Sequence, residues 1–191
     1  MIKLSPMLDL TQAVKELSAF STQWSVYVVA IKNEVKELLL LSGGSGRITA
    51  IDLAKKEQVF VFSKEEEQKA QSAIGHLPLE IGNFIYEPSA AILKAGAYKL
   101  VAERFGLHKL DINTHLYASA TLIPNFPGRI WKIVDKQDLK QANVLCRNYP
   151  LTPAQVKKKL HLRDGGTAYV IGCRVAGKPT LLFAERVEDI H

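Results

Sequence analysis

The sequence has no run of about 18 apolar residues, the length that a membrane-spanning helix needs. Its first residues, Met1 to Pro6, lack the apolar core of a secretory signal. Only two cysteines are present, Cys146 and Cys173, and neither has a CxxC neighbour. These absences argue against a membrane span, a leader, a disulfide scaffold and a zinc site, so we expect a cytoplasmic protein with two buried free thiols.

The sequence also has little that indicates catalysis by this chain alone. We find no nucleophile–base pair and no carboxylate pair that would support catalysis. The glycine-rich stretch 42–46 lacks the lysine and the following helix of a phosphate-binding loop, so we predict a hairpin turn there. The histidines have no ligand spacing, and we assign no metal or catalytic role to any of them: His76, His108, His115, His161 and His191.

The 191 residues are 47% hydrophobic and 23% charged, as in an ordinary globular protein of one or two domains. Their positive charge is unevenly distributed along the chain. Up to Pro88, 9 Lys and Arg stand against 11 Asp and Glu, a net charge of −2. From Ser89 onward 16 stand against 8, a net charge of +8. Such an excess attracts phosphate backbones, although spare positive charges also serve solubility.

The first part of the chain has an α/β pattern. A short strand at Ile2–Leu4, a helix capped by Asp9 and an apolar strand at Val26–Ile31 predict a strand–helix–strand crossover in a parallel sheet. Residues 58–62 indicate a further strand. The acidic residues 65–67 are typical of a solvated face and a linker into the next domain.

The second part has an α+β pattern. One helix is predicted from Pro88 and Ser89 to a stop at Gly106. Strands are predicted at 129–134 and 143–147, and residues 168–175 and 180–186 predict a terminal hairpin. Between them, Thr152 and Gln155 favour a capped helix rich in lysine. A basic helix beside two long strands is suited to bind RNA.

Several segments carry a family resemblance, in the order in which the family has them. They are KLSPMLD (3–9), NEVKELLL (33–40), YEPSAAILKAGAYK (86–99) with AERFGL (102–107), FPGRIW (126–131) and RNYPLT (147–152). On these residues the chain resembles the C-terminal portion of bacterial class I S-adenosyl-L-methionine-dependent methyltransferases that end in a THUMP-like domain, a group well represented among Bacteroidetes. YEPSAAILKAG is the most specific segment.

The resemblance implies an α/β plus α+β fold in three parts. Residues 1–78 would be the C-terminal remnant of a Rossmann-like methyltransferase sheet, 79–124 a ferredoxin-like segment and 125–191 a THUMP-like domain. The family's cofactor loop, ribose-binding acid and Asp-Pro motif have no counterpart here, so we expect this chain to be a fragment that binds no S-adenosyl-L-methionine and is inactive without the N-terminal Rossmann half. By analogy with true THUMP domains, the partner would be structured RNA, tRNA or rRNA.

Two sets of candidate site residues follow. Ser5, Pro6 and Asp9 would form a loop facing the reaction site, although Asp9 also suits a helix cap. Phosphates would be neutralised at the end of the lysine-rich helix, where the N-terminus at Thr152 adds its N–H groups. The RNA-binding candidates are Arg147, Lys157, Lys158, Lys159, Arg163, Tyr86 and Lys94.

Alternatives stay open for these candidates. The lysines also fit a solvated helix face, and Tyr86 also fits a domain interface. Trp131 and Tyr149 suit base stacking or core packing. We therefore carry two hypotheses, the RNA-docking portion of a methyltransferase and a non-catalytic structural or protein-interaction module. RNA binding that weakens steeply with salt distinguishes the first.

Overall fold

The computed structural model describes residues 1–20, 23–54, 57–71, 83–136 and 138–187. Their helices are α1 (Leu10–Leu17), α2 (Lys64–Lys69), α3 (Ala90–Ala95), α4 (Leu100–Phe105) and α5 (Pro153–Leu160). Their strands are β1 (Ile2–Leu4), β2 (Trp24–Ile31), β3 (Glu34–Ser42), β4 (Ile48–Leu53), β5 (Glu57–Phe62), β6 (Phe84–Pro88), β7 (His108–Asp111), β8 (Thr114–Ser119), β9 (Gly128–Ile133), β10 (Asn143–Arg147), β11 (Ala168–Val175) and β12 (Lys178–Arg186).

The chain divides into two compact units. The first unit comprises the described residues of 1–71 and 88–101, and the second those of 72–87 and 102–191. His76, His191 and the predicted boundary after residue 78 lie outside the described residues, so that boundary stays a prediction. In the part of the chain that the structure describes, no helix is long and apolar enough to cross a membrane.

The first unit is built on a mixed five-stranded sheet with the order β1-β3-β2-β4-β5. β1 and β2 are both antiparallel to β3, which lies between them, while β2 and β4 are parallel. The predicted strand–helix–strand crossover is present, since α1 connects β1 and β2 and both strands run in the same direction. The predicted parallel sheet is wrong, because the antiparallel β3 lies between them. Helix α3 packs on β2, β3 and β4 and buries Ala91 and Ile92 there.

The glycine-rich stretch 42–46 connects β3 to β4, which are not paired with each other, so the predicted hairpin turn is also wrong. β3 and β4 lie on opposite sides of β2, and this stretch carries the chain across the end of β2. The Ser45 N–H donates to Ser25 Oγ at 2.8 Å, and a Cβ on Gly44 would overlap that hydroxyl. The glycine thus permits a close backbone approach.

The single helix predicted between Pro88 and Gly106 is two helices. α3 ends at Gly96, whose φ of 85° lies in the left-handed region that favours glycine. A second helix then begins at Leu100. The break interrupts an apolar pattern that continues across it, which is why the pattern alone predicted one helix.

The acidic residues before the second unit are not merely solvated. Both carboxylate oxygens of Glu67 in α2 accept backbone N–H groups at the start of α4, from Tyr98, Lys99 and Leu100 at 3.2, 2.9 and 2.9 Å. A carboxylate is favoured there because the first N–H groups of a helix have no partner within the helix. Glu67 is thus a cap supplied by another helix, and sequence spacing gave no sign of it.

The second unit is built on a seven-stranded sheet with the order β10-β11-β12-β9-β6-β8-β7. The sheet curls, because β7 and β8 at one end contact β11 near the other. The Ala176 N–H, in the turn after β11, donates to the Leu110 carbonyl of β7 at 3.0 Å. Inside the curl lies a core of nine buried side chains: Ile85, Leu110, Leu116, Ala118, Trp131, Ile171, Cys173, Leu182 and Ala184.

Helix α5 covers the outer face of this sheet. Its buried Val156 packs in a second cluster with Ala142, Val144 and Val170. Thr152 and Gln155 form the predicted capping box, and Pro153 occupies the first turn. The helix is therefore placed by local capping and by one apolar face, which leaves its other face to solvent.

Candidate functional site

A buried carboxylate joins three strands of the second unit. Glu87 of β6 is only 3% exposed. Arg129 of β9 donates through Nη2 to Glu87 Oε2, and Arg147 of β10 donates through Nε to Oε1 at 2.5 Å. Burying a carboxylate is costly unless charged donors replace water, and these two guanidinium groups do so. The same carboxylate fixes the position of both guanidinium groups.

A tryptophan lies beside this ion-pair network. Trp131 is fully buried, and the Cζ atoms of Arg129 and Arg186 each lie 5.5 Å from its ring centroid. Tyr169 contacts the ring edge-on at 6.0 Å. Because cations and an aromatic ring already surround Trp131, core packing explains it and base stacking does not.

Tyr86 is not available to a base, which corrects its place among the RNA-binding candidates. Its side chain is fully buried, and Phe126 packs edge-to-face on it at 5.1 Å. Its hydroxyl donates to the Thr121 carbonyl at 3.1 Å and accepts the Ile123 N–H at 2.8 Å. Burial raises the pKa of Tyr86, so the hydroxyl stays protonated.

Two of the basic candidates are already paired. Arg147 uses Nε on Glu87 and Nη1 on the Cys146 carbonyl, although 38% of its side chain is exposed. Lys157 Nζ lies 2.6 Å from Asp164 Oδ1. Both cations are therefore held by the fold itself, and only the remaining edge of Arg147 faces solvent.

The expected position of the lysines relative to Thr152 is wrong. Lys157, Lys158 and Lys159 lie in the last turn of α5, whereas Thr152 caps the other end. Cations at the last turn complement the carbonyl end of the helix dipole. The N–H groups at Thr152 therefore do not join the lysines in one phosphate site.

Three candidates remain exposed, Lys158, Lys159 and Arg163, and together with the exposed Lys140 they make up what we call the basic surface. Arg163 continues from the end of α5, and its N–H donates to the Lys140 carbonyl at 3.0 Å. Sequence reasoning missed Lys140 because an isolated bridge between Gln141 and Arg163, distant in sequence, brings it there. The role of this surface in RNA binding stays a prediction.

The candidate loop of the first unit is exposed and locally bonded. Asp9 Oδ1 accepts the Gln12 N–H at 2.8 Å, so Asp9 is the N-cap of α1. Ser5 Oγ accepts the Met7 N–H at 3.2 Å, and Pro6 lies between them. Lys94, an RNA-binding candidate, belongs to this unit and donates to the Leu8 carbonyl at 2.7 Å. It is therefore not part of the basic surface.

An open cavity of about 430 Å³ lies between β1 and α1. Leu4, Leu8 and Leu17 line it together with Phe20, whose side chain is 81% exposed. Met7, on the loop between the two elements, is 88% exposed. Apolar side chains grouped at one place on a surface are typical of an interface.

Neither a metal cluster nor a reactive thiol is found among the described residues. No group of three or more His, Cys, Asp or Glu in this part of the chain could hold a metal ion. Burial raises the pKa of Cys173 to about 12 and also raises that of Cys146. Both thiols are therefore protonated at neutral pH, whereas a nucleophilic cysteine needs a thiolate.

Comparison with known proteins identifies the domains of the second half. Residues 84–127 match a family described as a ferredoxin-like domain, and residues 124–186 match one described as THUMP domain-like. The protein thus has a mixed α/β fold with ferredoxin-like and THUMP-like domains, as the sequence predicted. Strands of both segments share the seven-stranded sheet.

One solved structure is similar over nearly the whole chain. A putative methyltransferase from Porphyromonas gingivalis W83 is 34% identical, with a TM-score of 0.83 over 97% of this chain. The chain spans about half the length of that protein, since the match covers 50% of it. No functionally curated protein matches the chain.

Replacing Glu87 tests the ion-pair network. The change Glu87→Ala leaves two guanidinium groups without their carboxylate and should lower the free energy of unfolding by about 3 kcal/mol. Urea unfolding, followed by Trp131 fluorescence in a Trp24→Phe background, measures it. The control Glu185→Ala removes an exposed carboxylate from the same sheet and should change stability by less than about 0.5 kcal/mol. Equal losses in the two variants would contradict a structural role for Glu87.

Proposed function

We propose that this chain is the RNA-docking C-terminal portion of an S-adenosyl-L-methionine-dependent methyltransferase whose cofactor-binding half lies outside these residues. One observation carries the proposal: 97% of the chain matches one half of the P. gingivalis protein in sequence and fold. The methyltransferase activity in this proposal is taken from the name of that protein.

The THUMP-like segment supports RNA as the partner. True THUMP domains bind RNA, and the residues that match the THUMP-like family contain the whole of the basic surface. Lys158 and Lys159 are exposed on α5, so both ammonium groups are accessible to a phosphate backbone. Neutralising phosphates releases counterions, which gives an attraction that any structured RNA would feel.

The first sheet supports a class I methyltransferase remnant. β3 is antiparallel and lies between β1 and β2, which run in the same direction. The sheet of class I methyltransferases ends with an antiparallel strand inserted in this way. By this correspondence β1 would continue a Rossmann-like sheet. The loop with Ser5, Pro6 and Asp9 would then lie at the carboxyl end of β1, and ligands of such sheets bind at the carboxyl ends of the strands.

The surface around β1 supports a missing half as the partner of the first unit. β1 is the last strand in the sheet order, so one of its edges has no strand beside it among the described residues. Leu4 of β1 lines the open cavity together with Phe20, and the exposed Met7 lies three residues after β1. An unpaired edge beside exposed apolar side chains is a surface that proteins usually cover.

RNA binding is expected to depend on the basic surface. Unmodified tRNA should bind at low salt, with an affinity that falls steeply as salt rises. The double variant Lys158→Gln/Lys159→Gln should bind more weakly and reduce the slope of log K against log salt by about 2, one for each phosphate that is no longer neutralised. Fluorescence anisotropy with labelled tRNA measures both quantities.

A matched variant controls for net charge. Lys15→Gln/Lys36→Gln removes two exposed lysines from the first unit and should leave the salt slope unchanged within about 0.5. Absence of binding at low salt would exclude RNA docking and leave the protein-interaction hypothesis. Equal weakening by both double variants would contradict the basic surface as the site.

Association with the missing half is expected to use the surface around β1. The N-terminal half of the P. gingivalis protein serves as the probe, and sedimentation should detect a 1:1 complex with this chain. Phe20→Asp should weaken the complex at least about tenfold, because a buried carboxylate would need a partner there. Ile112→Asp, at a side chain 64% exposed in the second unit, is the control and should have no effect. A complex insensitive to Phe20→Asp would contradict this surface.

A further inference from the structure

Two buried N–H donors on neighbouring side chains have no hydrogen-bond acceptor among the described residues. They are Arg129 Nε and Trp131 Nε1, and Arg129 Cζ lies 5.5 Å from the Trp131 ring centroid. Buried donors in folded proteins are nearly always paired, so two unpaired donors side by side call for an explanation. An acceptor from outside the chain would supply one.

The chemistry around these donors indicates what kind of acceptor fits. Guanidinium and indole groups are donors only. Arg129 and Arg147 carry two positive charges, and the one carboxylate of Glu87 pairs with both, so the three side chains sum to +1. A neutral acceptor would satisfy hydrogen bonds but not charge, whereas an oxyanion would satisfy both.

The guanidinium groups are both held in place and accessible. Glu87 binds one edge of Arg129 and one edge of Arg147, which fixes them in advance of any ligand. The side chains remain 26% and 38% exposed, so part of each is open to solvent, while Arg129 Nε itself is buried. A fixed pair of guanidinium forks binds more tightly than mobile cations, because less conformational freedom is lost on binding.

We propose that Arg129, Arg147 and Trp131 form a phosphate-binding site at the edge of the curled sheet, positioned by Glu87. The planar guanidinium fork matches two oxygens of a phosphate group. The phosphate is a backbone phosphate of RNA if the proposed function holds, and free phosphate otherwise. The site is separate from the basic surface, which carries the docking proposal.

The two tryptophans make a test possible in the unaltered protein. Each gives one indole N–H signal in a ¹H–¹⁵N spectrum. Trp24 Nε1 donates to the Leu17 carbonyl at 3.2 Å in the first unit and serves as the internal reference. Inorganic phosphate, added at constant ionic strength with chloride as the counter-titrant, should shift the Trp131 signal in a saturable way and leave that of Trp24 in place. An unmoved Trp131 signal, or equal shifts of both, would overturn the proposal.

Variants identify the guanidinium groups involved. Arg147→Gln should weaken phosphate binding about tenfold or more, the usual effect of losing a charge-assisted hydrogen bond. Arg147→Lys keeps the charge but loses the fork, so it should also weaken binding and guards against a folding defect in the first variant. The control Arg47→Gln removes an arginine side chain from the first unit, outside the proposed site, and should have no effect. Affinity unchanged in both Arg147 variants would remove that residue from the site and overturn the proposal.

RNA in place of phosphate separates the two sources. If tRNA shifts the Trp131 signal and inorganic phosphate reverses the shift, the ligand is an RNA phosphate. If only inorganic phosphate shifts it, the site binds a free oxyanion. If tRNA binds through Lys158 and Lys159 while neither ligand moves Trp131, the phosphate site is disproved and RNA docking is not.

Discussion

The carboxylate of Glu87 is the interaction on which the second unit depends. It lies on β6 in the ferredoxin-like segment, and both of its partners, Arg129 and Arg147, lie in the THUMP-like segment. Removing either the carboxylate or its guanidinium partners is destabilising, because an unpaired charge would then remain buried away from water. The two segments are therefore tied by charge as well as by a shared sheet, and they fold as parts of one unit.

Glu87 lies in YEPSAAILKAG, the segment on which the resemblance is most specific, together with three other residues that have structural roles. Tyr86 is buried and bonded at its hydroxyl, and Glu87 holds the two arginines. Ser89 then caps α3, and Gly96 ends it in a left-handed conformation. Four successive structural demands in eleven residues leave few acceptable substitutions. Each of these four residues therefore has a structural role of its own.

Local features were predictable from the sequence, and strand pairing was not. The caps at Asp9 and Thr152 were found because capping depends on residues within one turn. The crossover from β1 to β2 was predicted, but the parallel sheet around it was wrong, because apolar runs show that strands exist without showing which strand lies between them. The hairpin turn predicted at 42–46 was wrong for the same reason. The cap that Glu67 provides for α4 depends on residues more than thirty positions apart, which no local pattern reveals.

Exposure decided which candidate site residues remain. Lys158, Lys159 and Arg163 keep exposed side chains, as their place on a polar helix face and beyond it indicates. Tyr86 is excluded by burial, and Arg147 and Lys157 are engaged by carboxylates that the sequence could not place beside them. Our central proposal is that RNA docks on the second unit. Ultraviolet crosslinking of the chain to tRNA, with mass spectrometry of the crosslinked peptides, tests it most directly. Crosslinks should fall in peptides of the second unit between residues 138 and 163, and crosslinks confined to the first unit would contradict the account.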